Sequence, residues 1–99
     1  MIGFFYIYTM EIKALYEIYK KCARVETDTR KDLNQSLFFA LKGDNFNGNE
    51  FAARALDSGA LFAVVDEEKF KVNDQIILVD NVLHTLQELA NYHRKQLKV

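Results

Sequence analysis

Three short runs of apolar residues divide an otherwise polar chain. They are Ser36 to Leu41 (SLFFAL), Leu61 to Val65 (LFAVV) and Gln75 to Val79 (QIILV). Runs this short, apolar without alternation, predict strands buried on both faces, as in a parallel sheet covered by helices. Around them the period changes to that of a helix. Ile12, Leu15, Tyr16, Tyr19, Cys22 and Ala23 recur at three- and four-residue spacing and predict a helix from Met10 to Ala23, running out near Arg24. Thr9 is its predicted N-cap, Glu11 lies in its first turn, and Glu17 and Lys21 form a predicted i,i+4 pair. A second helix is predicted from a cap at Asn47 or Asn49 through Ser58, with Phe51, Ala52, Ala55 and Leu56 buried and Glu50 paired with Arg54 on the surface. Gly59 fits the left-handed position that ends many helices. A third helix, capped by Asp80 or Asn81, places Val82, Leu83, Leu86, Leu89, Ala90, His93 and Leu97 at helical spacing.

Strand, helix, strand at this spacing is a βαβ unit, which makes the two strands parallel. The predicted fold class is α/β: a small, mostly parallel or mixed sheet with helices on both faces, in one domain over residues 10–99. Val25 to Gln35 (VETDTRKDLNQ) is polar and predicts a turn with a short extended piece. Asp66 to Asp74 (DEEKFKVND) predicts an exposed connection. Residues 1–9 (MIGFFYIYT) read either as an edge strand or as an extension ahead of a natural start at Met10. They are too short to span a bilayer and lack the basic start and small-residue cleavage site of a signal peptide.

Composition narrows the function classes. Ninety-nine residues, 49% apolar and 27% charged, describe an ordinary globular domain. A formal net charge of −1 supplies no electrostatic case for nucleic acid or an anionic membrane. Cys22 is the single cysteine, so no intrachain disulfide forms, and a reducing compartment fits. With no proline in the chain, Gly, Asn and Asp must make the turns.

Two stretches hold candidate chemistry. The first is the loop Lys42, Gly43, Asp44, Asn45, Phe46, Asn47 and Gly48. It leaves the carboxyl end of a buried strand and enters a helix, the edge where open α/β sheets bind ligands. Its glycines permit close backbone approach, although a proline-free capping loop accounts for the same spacing. The second is Thr27, Asp28, Thr29 and Arg30, three hydrogen-bonding side chains beside one guanidinium. Arg30 suits a carboxylate or phosphate ligand, or equally a surface pair with Asp28 or Asp32. No Walker A loop is present, since Gly48 is followed by Asn49 and Glu50 rather than Lys and Ser or Thr, and no GxGxxG occurs. One cysteine and two histidines, His84 and His93, do not make a metal site, and no nucleophile–base set is evident. The residues by themselves predict a binding edge without a catalytic centre.

Taken together, TDTR, SLFFALKG, NFNGNEFAARAL and SGALFAVV resemble the N-terminal domain of the Mur ligases. The family pattern there is roughly T-D-S-R, G-D-L-F-F-A-L-x-G, D-G-H-x-F and A-x-x-x-G-A, and the match covers about Val25 to Val65. Within the family the likeness is strongest to the D-alanyl-D-alanine-adding MurF type, with the amino-acid-adding MurE type as competitor. The resemblance implies a domain that holds the uridine diphosphate of a UDP-MurNAc-peptide through Thr27, Asp28, Thr29, Arg30 and the loop from Lys42 to Gly48. It implies no catalytic residue, metal or cofactor in this domain. ATP and Mg2+ would belong to a central domain and the incoming amino acid or dipeptide to a C-terminal one, both outside this chain. As a fragment it is expected to bind nucleotide weakly and not to ligate. The sequence departs from the pattern at Asn34, Gln35 and Ser36 (for Pro-Gly-Asp), at Asn47 (for Asp) and at Asn49 (for His). A non-enzymatic α/β interaction domain is the alternative reading.

Overall fold

A computed structural model describes residues 11–97. Four strands form one sheet: β1 (Arg24–Glu26), β2 (Ser36–Phe39), β3 (Phe62–Val65) and β4 (Ile76–Leu78). Their order in space is their order in sequence, and every pairing is parallel. Val25 lies opposite Leu37, Leu37 opposite Phe62, and Val64 opposite Ile77. Among the described residues three helices accompany the sheet: α1 (Ile12–Tyr19), α2 (Ala52–Asp57) and α3 (Val82–Leu97).

The strand order explains the layering. Right-handed crossovers, the rule for parallel strands, bring all connections to one face when strands are laid down in one direction. Leu33 from the first connection, α2 from the second and Phe70 from the third pack in one cluster with Phe38, Ala40, Ala63, Val65, Ile76 and Leu78. The opposite face must then be closed from outside the strand run. Helices α1 and α3 do so, setting Leu15, Val82 and Leu89 against Leu37, Phe39, Val64, Ile77 and Val79. Burial on both faces is why β2, β3 and β4 carry apolar residues without alternation.

Several boundaries move from their sequence-based positions. α1 stops at Tyr19, not near Arg24, because Ala23 N–H already donates to Gln35 O and Arg24 has joined the sheet as β1. Glu17 pairs with Lys20 one residue earlier than the predicted Lys21. β2 ends at Phe39 rather than Leu41. The second helix opens as a 3-10 turn, Gly48–Phe51, capped by Asn47, whose side chain accepts from Asn49 N–H. Gly59 ends it at φ 111°, as its position implied. The connection after β3 is not wholly exposed, for Glu68–Phe70 form a 3-10 turn that packs Phe70 on the core. In α3, Val82 and Leu89 are buried while Leu83, Ala90 and Leu97 face solvent. Asn81 caps that helix by accepting from His84 N–H. Cys22 is half-buried just past α1, and burial pushes its thiol pKa up. The proposed cap Thr9 and the edge strand in residues 1–9 lie outside the described residues.

Gln35 is the one non-glycine residue of the described chain in the left-handed region, at φ 61°. Its N–H donates to Gly59 O and its carbonyl accepts from Ala23 N–H, so both neighbours hold it there. The family pattern has glycine at this position, which carries no Cβ penalty in that conformation. Gln35→Gly is therefore expected to stabilise the domain by roughly 0.5–1 kcal/mol, since the exposed side chain gives up no packing. A thermal melt checks it, and a lower melting temperature would refute the strain.

Candidate functional site

The parallel strands β1 and β2 end side by side at one edge of the sheet. From β1 the chain turns directly through Thr27–Arg30. From β2 it passes through Leu41 into the 42–47 loop and returns at Gly48. Between these segments lies a cleft of about 670 Å³. Thr27, Asp28, Thr29, Arg30, Phe46 and Gly48 line it, so the structure brings the two predicted stretches together. Phe38 and Leu41 add apolar wall from β2 and its exit, and Phe51 and Arg54 line it from the second helix.

The Thr27–Arg30 turn is tied internally. Glu26 Oε1 accepts from the N–H groups of Thr27 and Asp28 at 3.1 and 3.4 Å. Asp28 Oδ1 accepts from Arg30 N–H at 2.9 Å, an Asx turn. The Arg30 guanidinium folds back onto the same carboxylate, Nε to Oδ1 at 3.0 Å and Nη2 to Oδ2 at 2.9 Å. That hydrogen-bonded guanidinium lowers the Asp28 pKa to about 2. The carboxylate's contribution is thus complete above its ordinary value and is lost only as the pH falls toward about 2. Arg30 is raised in turn by its bond to Asp28.

The loop after β2 closes on itself. Gly43 N–H donates to Phe46 O at 2.9 Å, Lys42 bridges Asn47, and Gly48 N–H donates to Leu41 O at 2.8 Å. Phe46 folds over Gly43, where an added Cβ would meet the ring at 2.5 Å, and stays 57% exposed at the cleft. Behind the loop stands a polar network. Lys42 Nζ lies 3.0 Å from Glu67 Oε2 and 3.4 Å from Asp66 Oδ1. Asn47 Nδ2 donates to Glu67 Oε2. Fully buried Asn49 donates from Nδ2 to Asn47 Oδ1 and Asp66 Oδ1, and its Oδ1 accepts from Asp66 N–H at 2.9 Å. Asp66 Oδ2 accepts from Val82 N–H, which fastens the start of α3 to the same cluster. The bond to Glu67 raises the Lys42 pKa, and the bond to Lys42, then that from Asn47, lowers Glu67.

The predicted residues therefore divide. Lys42, Gly43, Asp44, Asn45 and Asn47 do not line the cleft; Lys42 and Asn47 brace its loop, and Gly43 makes room for Phe46. Arg54 does line it, and the expected Glu50–Arg54 surface pair does not form among the described residues. The signal available in the sequence was spacing, since Arg54 follows Phe51 by three residues and so shares its side of the helix. His84 sits near Glu88 in solvent, and His93 is half-buried with Nδ1 3.0 Å from Tyr16 Oη. Among the described residues no cluster of His, Cys, Asp and Glu could hold a metal ion, and no helix is long and apolar enough to cross a membrane.

Residues 22–94 match the family described as Mur ligase family, catalytic domain. The chain belongs to the Mur ligase family. A UDP-N-acetylmuramoyl-tripeptide–D-alanyl-D-alanine ligase of Haemophilus influenzae is 36% identical over 74 residues, 75% of this chain and 16% of the relative. A Bacillus subtilis ligase of the same description is 37% identical over 75 residues, again 16% of its length. A UDP-N-acetylmuramoyl-L-alanyl-D-glutamate–2,6-diaminopimelate ligase of Rickettsia typhi is 36% identical over 64 residues, 65% of this chain and 13% of the relative. The chain thus spans about one eighth to one sixth of the length of these Mur ligases, and both kinds match it at similar identity. A solved structure of MurF from Acinetobacter baumannii shares the fold at a TM-score of 0.66, with 22% identity over 86% of this chain and 21% of that one.

Proposed function

We propose that this Mur ligase segment holds the uridine diphosphate of a UDP-MurNAc-peptide while the remainder of a longer ligase adds the next amino acid or dipeptide. The meeting of the Thr27–Arg30 turn with Phe46 and Gly48 around one cleft carries this reading. Its chemistry suits such a handle. Phe46 and Phe51 offer aromatic surface for a base, the Thr27 and Thr29 hydroxyls offer hydrogen bonds, and the arginines offer charge for phosphate. Residues 22–94 contain no Gly-Lys-Ser/Thr phosphate loop, so ATP and Mg2+ belong, on this reading, to a central domain outside the chain. That central domain and the C-terminal one are its partners, in the cytoplasm.

For the reaction of the whole ligase we favour addition of D-alanyl-D-alanine, the activity in the description of the Haemophilus and Bacillus relatives. The diaminopimelate-adding relatives support the MurE-type alternative. Assay of the ligase that carries this domain, with D-alanyl-D-alanine and the tripeptide precursor against diaminopimelate and the dipeptide precursor, separates the two.

UDP titrated into the 99-residue chain is expected to shift amide resonances at residues 27–30 and 46–54, with ADP doing so more weakly. Equal responses to both nucleotides, or none at millimolar ligand, would refute uridine diphosphate recognition by this domain.

A further inference from the structure

We infer that Arg54 is the anion anchor of the cleft, the residue through which it takes a diphosphate. Three charged side chains line the cavity: Asp28, Arg30 and Arg54. Asp28 and Arg30 cancel, bound to one another through two guanidinium nitrogens and both carboxylate oxygens. Arg30 is the cation that motif reading selects, yet its charge is already paired with its neighbour. Among the described residues Arg54 has no such partner. Glu50, one helical turn back, makes no ion pair with it among the described residues. The lining therefore carries one uncompensated positive charge, and that charge is Arg54.

Position supports the same assignment. Arg54 projects from α2, whose Ala52 and Ala55 are locked in the core, so its Cα is fixed even though its head is in solvent. Phe51, one turn earlier, lines the same cavity. A guanidinium beside an aromatic ring offers a planar base and a phosphate adjoining subsites. The unpaired Arg54 fork can donate to two phosphate oxygens with its full charge, whereas the charge of Arg30 is already offset by Asp28.

The inference deepens the uridine diphosphate reading and rests on it for the nucleotide, while the charge argument can be tested alone with inorganic pyrophosphate. In the 99-residue chain, pyrophosphate is expected to shift the Arg54 Nε–H resonance together with the Thr27 and Thr29 amides. Arg54→Gln, an exposed change that should leave the melting temperature in place, is expected to weaken both pyrophosphate and UDP at least about tenfold. Arg54→Lys keeps the charge without the fork and is expected to fall between. Asp28→Asn retains the Oδ1 that accepts from Arg30 N–H, frees the guanidinium, and is expected to tighten pyrophosphate. Wild-type affinity in Arg54→Gln, no response at Arg54 in the wild type, or no gain in Asp28→Asn would each overturn the assignment. UDP binding no tighter than pyrophosphate would instead remove the uridine reading and leave the Arg54 result standing.

Discussion

Gly48→Ala is expected to abolish the cooperative folding of this domain or to lower its melting temperature by more than about 15 °C. Gly48 does not have a positive φ, so the reason is space rather than torsion. A Cβ at this position would lie 2.3 Å from Leu41 O, 2.8 Å from Leu41 N and 2.9 Å from the Ala40 carbonyl carbon. All three are backbone atoms at the exit of β2, and no rotamer change moves them. Relief would require parting the second helix from the strand and breaking the 2.8 Å bond from Gly48 N–H to Leu41 O. A forced shift of this kind costs about 3 kcal/mol or more, a large share of the roughly 5–15 kcal/mol that holds a small domain. Gly43→Ala is the matched control. There the added methyl meets only the exposed Phe46 ring, which can swing aside, so stability should change by less than about 1 kcal/mol. Thermal melts by circular dichroism compare the two variants. Equal, small effects would refute the steric account.

Asn49→Leu is expected to cost about 3 kcal/mol, or more than about 10 °C in melting temperature. The leucine keeps the branching of the amide but replaces its polar atoms with methyls, which remove the hydrogen bonds and crowd partners now 2.8–3.0 Å away. Asp66 N–H would lose its acceptor, and Asp66 Oδ1 and Asn47 Oδ1 would each lose a donor in a site with no water exposure at Asn49. The damage would spread, because Asp66 also caps α3 through Val82 N–H and Asn47 caps the 3-10 turn. Asn49→His is the telling comparison, since the resembled family pattern carries histidine there. An imidazole keeps one donor and one acceptor, enough for the Asp66 N–H bond and one of the two Nδ2 bonds. It should recover at least half of the loss. Equal destabilisation by Leu and His would show that shape, not hydrogen bonding, holds this position.

Much of the scaffold was legible along the chain because its causes are local. Apolar runs without alternation announced strands buried on two faces, and β2, β3 and β4 lie within one or two residues of them. Gly59 and Asn81 announced helix ends because capping chemistry acts within a few residues. β1 was harder to read. It is a polar, three-residue edge strand with no period of its own, and its existence depends on β2 offering it a partner. The exposed Leu83, Ala90 and Leu97 of α3 are a similar case, since period alone cannot say where a helix outruns the sheet it covers.

The sequence by itself determined the α/β class, the three buried strands and the two stretches that meet at the sheet edge. Tertiary structure decided how those stretches divide their work. Strand order brings the exits of β2 and β3 together, and only then can Lys42, Asn47 and Asn49 reach Asp66, 17 residues beyond Asn49, and its neighbour Glu67. Strand order likewise sets Arg54 beside the Thr27–Arg30 turn, where Asp28 has already claimed Arg30. Charge pairing depends on distances in space, which residue spacing does not encode once the chain has crossed the sheet.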